Sequence, residues 1–369
     1  MNHRFLQIHT LTPYTAALLN RDDAGLAKRL PYGGVMRTRI SSQCLKRHWR
    51  IADDPHALHT IDGAEAARRS RELVTKQVIA PLRGNFADDV VEVLESEFQM
   101  AVYGDKGTTK SGRQTLLFGV PEIEWLTREA ERLATESNGS AATAKAGVVA
   151  WRKDFRANIK AMRDQTALPA GIEGALFGRM VTSDSDANIT APVHVAHAFT
   201  VHAEEAEDDY FTAVDDLAGD EPGADTIQET ELTSGLFYGY VVVDIPGLLD
   251  NVSGDAGLAG DVLHNLIYLI AEVSPGAKLG STAPYGRASM VLLEAGNRQP
   301  RSLASAFATP SAPVAADAAA AVAGHLKLLD EAYATEEERR LMSVVNVEMP
   351  RAARGSLADL AQWARSLPA

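Results

Sequence analysis

Cysteine is all but missing from this chain: Cys44 stands alone among 369 residues. That excludes an internal disulfide and a metal cage built from thiolates. Aromatic residues are sparse, at 6%. No apolar run reaches the roughly 20 residues a membrane-spanning helix needs. The start, Met1-Asn2-His3-Arg4, leads into a strand-like run rather than the apolar core of a secretory leader. Tandem repeats are lacking as well. What remains is a globular protein with no membrane partner and the cytoplasm as its expected compartment. Its 46% hydrophobic and 23% charged residues suit a chain that buries a full core.

Charge of one sign is missing locally too. Residues 201–232 hold twelve Asp/Glu and no Lys or Arg, whereas residues 1–50 hold nine Lys/Arg against only Asp22 and Asp23. The net charge of −13 argues, taken whole, against a nucleic-acid binder. A phosphate backbone, however, responds to charge within a Debye length of ~8–10 Å, so the block and not the average decides.

The basic block centres on Gly33-Gly34-Val35-Met36-Arg37-Thr38-Arg39-Ile40-Ser41-Ser42-Gln43-Cys44-Leu45-Lys46-Arg47-His48-Trp49-Arg50. A Gly-Gly turn precedes a strand in which Arg37 and Arg39, two apart, point to one face. Ser41 or Ser42 then caps a helix. Leu45 and Trp49 lie on its apolar face, and Lys46 stacks one turn over Arg50 on the polar face. A helix N-terminus with hydroxyls and several cations fits a chain of phosphates.

Along the chain, residues 4–11 read as a strand and 41–50 as a helix. Helical patterns follow at about 64–80, 87–102, 121–137 and 150–163, broken by polar loops at Gly104–Gly112 and Ser137–Gly147. The period switches to two between Ile189 and Val201. Ser234–Ile245 is the strongest strand, followed by a helix at about 258–273, a strand at 287–294, and helices at 314–334 and 356–366. The confident elements run strand, helix, strand, strand, helix, strand. The expected fold class is α+β, an RRM-like (ferredoxin-like βαββαβ) palm with a large helical insertion and a long thumb loop. The expected segments are palm at 1–58, helical fingers at 59–178, palm again at 179–201, thumb loop at 202–232, and palm with C-terminal helices at 233–369.

Six blocks carry a family resemblance, in order. They are Leu19-Asn20-Arg21-Asp22-Asp23 through Leu45-Lys46-Arg47; Ala175-Leu176-Phe177-Gly178-Arg179-Met180; His197-Ala198-Phe199-Thr200; Phe211 through Leu217; Ser234-Gly235-Leu236-Phe237-Tyr238; and Pro275-Gly276-Ala277-Lys278. Over residues 4–290 the chain resembles the CasC (Cse-type) crRNA-binding backbone subunit of the type I-E CRISPR Cascade complex. The resemblance implies a non-catalytic RNA-binding subunit that stacks head to tail along one crRNA and presents its spacer to a target DNA strand. It implies other Cascade subunits as partners: a large PAM-reading subunit, small subunits, a subunit capping the 5′ handle and the crRNA-processing endonuclease. No cofactor or metal is implied. By position it assigns Arg21, Lys28, Ser41, Gln43, Lys46 and Arg50 to crRNA phosphates and sugars. Met180 becomes a wedge at a kinked nucleotide from the palm side, and Phe211 with Thr212 wedges from a neighbour's thumb. Such contacts position a backbone without reading bases, and an apolar side chain separates a stacked pair. Cys44 departs from the pattern, where a serine is expected.

Other motifs read less well as chemistry. His194, His197 and His202 do not converge on a strand, which favours structural roles over a metal site. Gly104–Ser111 has Thr109 where a P-loop needs glycine. Asp22 and Asp23 are expected to orient Arg21 or cap their loop. The acidic thumb is expected to dock on the basic rim of the next copy through Asp215 and Asp216. The alternative function is a ferredoxin-like, metal-independent endoribonuclease processing CRISPR RNA, with His9 or His48 as general base.

Overall fold

The computed structural model describes residues 3–181, 184–214 and 224–369, leaving out the side chains of 211–214 and 224–228. In chain order its strands are β1 (Phe5–Ala17), β2 (Arg29–Tyr32), β3 (Val35–Ile40), β4 (Ala67–Ser70), β5 (Leu116–Gly119), β6 (Val193–Val195), β7 (Ala198–Thr200), β8 (Ala206–Val214), β9 (Ala224–Asp244), β10 (Met290–Gly296), β11 (Glu338–Ser343) and β12 (Ala352–Arg354). The α-helices are α1 (Ser42–Arg50), α2 (Asp88–Tyr103), α3 (Val120–Glu136), α4 (Ala141–Asp164), α5 (Gly171–Phe177), α6 (Ile245–Asn251), α7 (Ala256–Glu272), α8 (Leu279–Thr282), α9 (Ala315–Tyr333) and α10 (Leu357–Arg365). Two compact units result. The first is Met1–Ala57, His194–Ile245 and Gly260–Ala369; the second is Leu58–Val193 and Pro246–Ala259. Residues 179–193, read from the sequence as palm, pack in the second unit.

In the first unit the sheet runs β12-β11-β10-β1-β9-β7-β3-β2. Its centre, β10-β1-β9-β7, is antiparallel at every pair, with α1 following β1 and α7 following β9. That is the 4-1-3-2 order and direction of a βαββαβ unit, and the α+β expectation holds. Sequence reading missed the β11 and β12 edge. Alternate residues of β1 serve two cores. Ile8, Thr10 and Thr12 face Trp49 of α1 and Ile270 of α7 around a cavity of about 40 Å³. Leu11, with Tyr238, faces Phe307 and Val322 from the C-terminal region. Burial on both faces explains why β1 shows no clean polar–apolar alternation.

The stretch 202–232, expected as a loop, is largely strand. β8 pairs with the first half of β9 from Ala206↔Thr233 to Val214↔Ala224, and β9 continues into the sheet against β1. Exposed Glu205, Glu207, Asp208 and Asp209 conceal this hairpin arm, because a run so rich in acids lacks an apolar period.

The second unit packs α2, α3 and α4 around Phe98, Leu126, Trp151 and Phe155. Two expectations fail there. Residues 64–80 are not one α-helix: Ala67–Ser70 pairs with Leu116–Gly119, a π-helical turn follows over Val74–Ile79, and Pro81 sits in the 3₁₀ turn that ends it. Residues 137–147 are not one loop. Ser140 caps α4, accepting from Thr143 N–H at 3.3 Å, so the small residues after it are helical alanines rather than breakers. Among the described residues no helix is long and apolar enough to cross a membrane.

Candidate nucleic-acid interface

The faces of the central strands β10, β1, β9 and β7 offer no binding platform, since both are covered. Tyr238, on the face where an RNA-recognition sheet displays its stacking aromatics, is only 1% exposed beneath Leu303 and Phe307. Cations collect instead at the β2–β3 edge and the start of α1.

A two-residue turn makes that edge. Gly33 and Gly34, with φ of +64° and +80°, join Tyr32 to its partner Val35. A Cβ on Gly33 would lie 1.9 Å from Ala308 O, so only glycine fits. Arg37 then departs from expectation. Its guanidinium is fully buried and donates to Tyr32 O at 3.1 Å, Thr200 O at 3.0 Å and Phe307 O at 2.8 Å. The segment through Phe307 covers this part of β3, and Arg37 becomes an internal staple. Arg39, one pleat on, escapes the cover. It donates through Nε to Arg29 O at 3.1 Å and pairs through a terminal nitrogen with His197 Nδ1 at 2.9 Å.

Backbone bonds lock the flanking loop to the helix start. Ser41 N–H donates to Asn20 Oδ1, and Asn20 O accepts from Lys28 N–H, both at 2.9 Å. Lys28 O accepts from Arg39 N–H at 2.7 Å. Asp22 caps the loop: its Oδ1 accepts from Ala24 N–H at 2.9 Å and Leu26 N–H at 3.0 Å. Arg21 is exposed in this loop, bridged to Ala27. Ser41 is the N-cap, its oxygen accepting from Cys44 N–H at 3.3 Å; being 8% exposed, it serves the helix first. Gln43 is exposed on the first turn, while Lys46 and Arg50 are half-buried one turn apart.

The electrostatics show that the cations share one neighbourhood. Partial desolvation lowers the pKa of the exposed His197, and the charges of Arg39, Lys28 and Lys46 lower it further, which places the imidazole among three cations. Burial likewise pushes the Cys44 thiol up to about 11, against the pull of Arg47 and Lys28. Cys44 is thus a neutral group on the buried side of the helix. Sequence reading omitted Arg39 and His197 from the candidate site. The signal for Arg39 was its alternation with Arg37; His197, placed among valines, is in fact exposed because β6 and β7 break at Ala196–His197. His202 is structural, its Nε2 accepting from Leu236 N–H at 3.2 Å.

The acidic arm meets part of this edge within the same chain. Arg29 pairs with Glu204 and Glu231, Ala27 N–H donates to Glu231 Oε2 at 2.5 Å, and Lys278 Nζ donates to Thr230. Arg29 is therefore committed to anchoring the arm. Phe211 and Thr212 lie on β8 opposite Gln228 and Ile227, with their side chains outside the described residues. Asp215 and Asp216 lie outside the described residues altogether.

Met180 belongs to the second unit and is 72% exposed. Its neighbour Arg179 is buried, donating to Glu122 Oε2 at 2.6 Å and Ala187 O at 2.7 Å. Arg163 holds the other oxygen of Glu122 at 2.6 Å. A buried ion network thus anchors the backbone on which an apolar side chain is held out to solvent.

The endoribonuclease candidates fare poorly as open bases. His9 is fully buried, with Nδ1 2.9 Å from Tyr238 Oη and Nε2 3.1 Å from Glu294 Oε2. His48 Nδ1 donates to Cys44 O at 2.8 Å. Among the described residues no group of three or more His, Cys, Asp or Glu could hold a metal ion.

The family model described as Cas CT1975-like protein matches residues 6–365. No curated protein matches the sequence. A chain from a solved "CRISPR RNA-guided surveillance complex, pre-nicking" is 24% identical and superposes with a TM-score of 0.77, over 98% of this chain and 100% of that one. A chain from another "CRISPR RNA-guided surveillance complex" is 21% identical, with a TM-score of 0.60 over 98% and 99%. These likenesses establish a shared fold along the whole length. With a family match that leaves out only the extreme ends, the chain belongs to the CT1975-like Cas protein family.

Proposed function

We propose that this chain is a non-catalytic crRNA-binding backbone subunit of a Cascade-type surveillance complex, of the type I-E class. Copies stack head to tail on one guide and present its spacer to target DNA alongside the other Cascade subunits. One observation carries the reading: Lys28, Arg39 and Lys46 converge on an exposed sheet edge beside a capped helix start while both faces of the central strands are closed. Such an edge holds phosphates and leaves bases unread. A guide-holding subunit requires that, because base pairing carries the sequence information. Exposed Met180 suits the wedge role, and the likeness to chains of RNA-guided surveillance complexes supports the assembly. The endoribonuclease reading is disfavoured by the burial of His9.

The test is co-expression with a CRISPR array and the neighbouring Cascade genes, then sequencing of RNA from the purified complex. Uniform array-derived RNA with nuclease protection broken at a regular short interval is expected. Random fragments, or 2′,3′-cyclic ends made by the pure chain and lost in His9→Ala, would overturn the reading.

A further inference from the structure

The acidic arm is a lever, and its root is gripped more heavily than strand pairing needs. β1 parts from β9 at Ala17↔Thr233, the rung at which β8 joins through Ala206. From there outward the arm pairs as a ribbon of two strands over the nine residues of β8. Such a ribbon is marginal by itself. At about 3.3 Å per residue it reaches about 30 Å, so a tilt of about 10° at the root moves the far end by about 5 Å. Whatever the arm touches is therefore set at its root.

Four distant segments of the first unit hold that root. Arg29 of β2 pairs with Glu204, on the segment leading into β8, and with Glu231 of β9. One guanidinium thus ties one acid from each leg of the arm. Only 4% of the Glu231 side chain is exposed, and its second oxygen accepts from Ala27 N–H at 2.5 Å. Arg29 closes the ring by donating to Ala27 O at 3.2 Å. Glu204 N–H donates to Met36 O at 2.8 Å, and Lys278 Nζ donates to Thr230. At the junction β1 is bulged between Tyr14 and Ala17, with Ala16 at φ +46°, where an alanine is strained. Ala16 N–H donates to Ser234 Oγ at 2.9 Å, and Thr233 Oγ1 donates to Ala17 O at 3.0 Å.

We infer that Arg29 is a positioning residue: with Glu204 and Glu231 it fixes the direction of the arm within the lone chain, before any partner arrives. Charge and shape both call for it. Asp208 lies directly opposite Glu231 on the ladder, and like charges across a rung repel. Without a cation the two legs would be pushed apart where they leave the sheet. A planar guanidinium fork holds two carboxylates in fixed geometry, whereas a lysine ammonium is a mobile point charge. An arm set in advance also loses less conformational freedom on meeting a partner. The inference stands without the guide-binding reading. One consequence rests on that reading: the pre-set arm fixes the interval at which successive copies protect the RNA.

The test places spin labels at Tyr210→Cys, exposed on β8, and Ile51→Cys, exposed at the end of α1, in the full chain with Cys44→Ser. Pulsed electron double resonance then reads the distribution of distances between the labels in the absence of RNA. A single narrow distribution is expected for this parent. Arg29→Met should at least double its width, and Arg29→Lys should fall between the two. Equal widths in the parent and in Arg29→Met would overturn the inference, as would a broad distribution in the parent. Should Arg29→Met fail to fold, Glu204→Gln, which frees one leg only, should still widen the distribution; no widening there refutes the inference equally. In the co-expressed complex, Arg29→Met should blur the regular protection interval, and an interval as sharp as the parent's would overturn that consequence. A parent lacking the interval would count against the guide-binding reading, while the distances in the free chain would still decide this inference.

Discussion

Neither His9 nor Glu294 is exposed to solvent, and His9 Nε2 lies 3.1 Å from Glu294 Oε2 at the centre of a buried ion network. Glu294 takes both terminal nitrogens of Arg301, at 2.6 and 2.8 Å, and Nε of Arg339 at 2.7 Å. Tyr238 accepts from Leu303 N–H at 2.9 Å, so its hydroxyl is free to donate to His9 Nδ1 and leave Nε2–H for the carboxylate. Replacing Glu294 by Gln takes the carboxylate away from Arg301 and removes one of the two that hold Arg339, which is 0% exposed and keeps Asp330 at 2.6 Å. We expect Glu294→Gln to cost about 3–5 kcal/mol, read as a drop in the urea midpoint. A loss below about 1 kcal/mol would show that the network contributes little.

The same pair sets an acid limit on stability. Burial lowers the pKa of His9. Burial pushes Glu294 up, but its bonds to Arg301 and His9 outweigh that and hold it well below the usual carboxylate range. The unfolded chain therefore takes up protons that the folded chain refuses, on His9 below pH about 6.5 and on Glu294 below about 4.3. Stability should be complete above neutrality and fall steadily as the pH drops from 7 to 4. Thermal melts that are flat across this range would contradict the assignment.

On the proposed function, Lys28→Ala, Lys46→Ala and Arg50→Ala should each weaken binding of single-stranded RNA. Each should also reduce the salt slope by about 0.7 for every phosphate left without its cation, and none should alter preference among RNA sequences. Arg37→Met should behave differently. Removing its three bonds to backbone carbonyls should lower the melting temperature, and any effect on RNA should follow from misfolding. A clean RNA defect in a fully stable Arg37→Met protein would return Arg37 to the binding surface.

His197 gives the edge a pH response. Partial desolvation and three neighbouring cations hold its pKa below the ordinary imidazole value, so acidification adds a fourth charge chiefly when phosphate offsets the others. RNA affinity at fixed salt should rise between pH 7.5 and 5.5, and the rise should vanish in His197→Gln. A rise of equal size in that variant would assign the response to another group.

The sequence disclosed the βαββαβ order because Ser234–Ile245, the α1 cap and α7 each carry a strong local pattern. It also disclosed the cationic edge, since Lys28, Lys46 and Arg50 stand in a block nearly free of acids. It concealed what depends on distant partners. Nothing local tells Arg37 from Arg39: their fates diverge because a segment around Phe307, some 270 positions later, covers one and spares the other. The thumb arm was illegible for a different reason. Its ladder is set by backbone pairing between two polar strands, and polarity alone reads as loop. Met180 was legible only through the family resemblance, since its exposure is imposed by the Glu122, Arg163 and Arg179 network around it.

The closed sheet has a consequence for what the molecule can tolerate. With α9 and its flanking segment on one side and α1 and α7 on the other, a palm with the proposed function grips from its margin like the spine of a binder, whose rings are indifferent to what is printed on the sheets they hold. On the proposed function, guides of any base composition should be retained alike. The RNAs recovered from the assembly would then mirror the abundance of array transcripts, with no bias from the protein. Variation within the sheet would register as lost folding, and variation along the margin as lost grip.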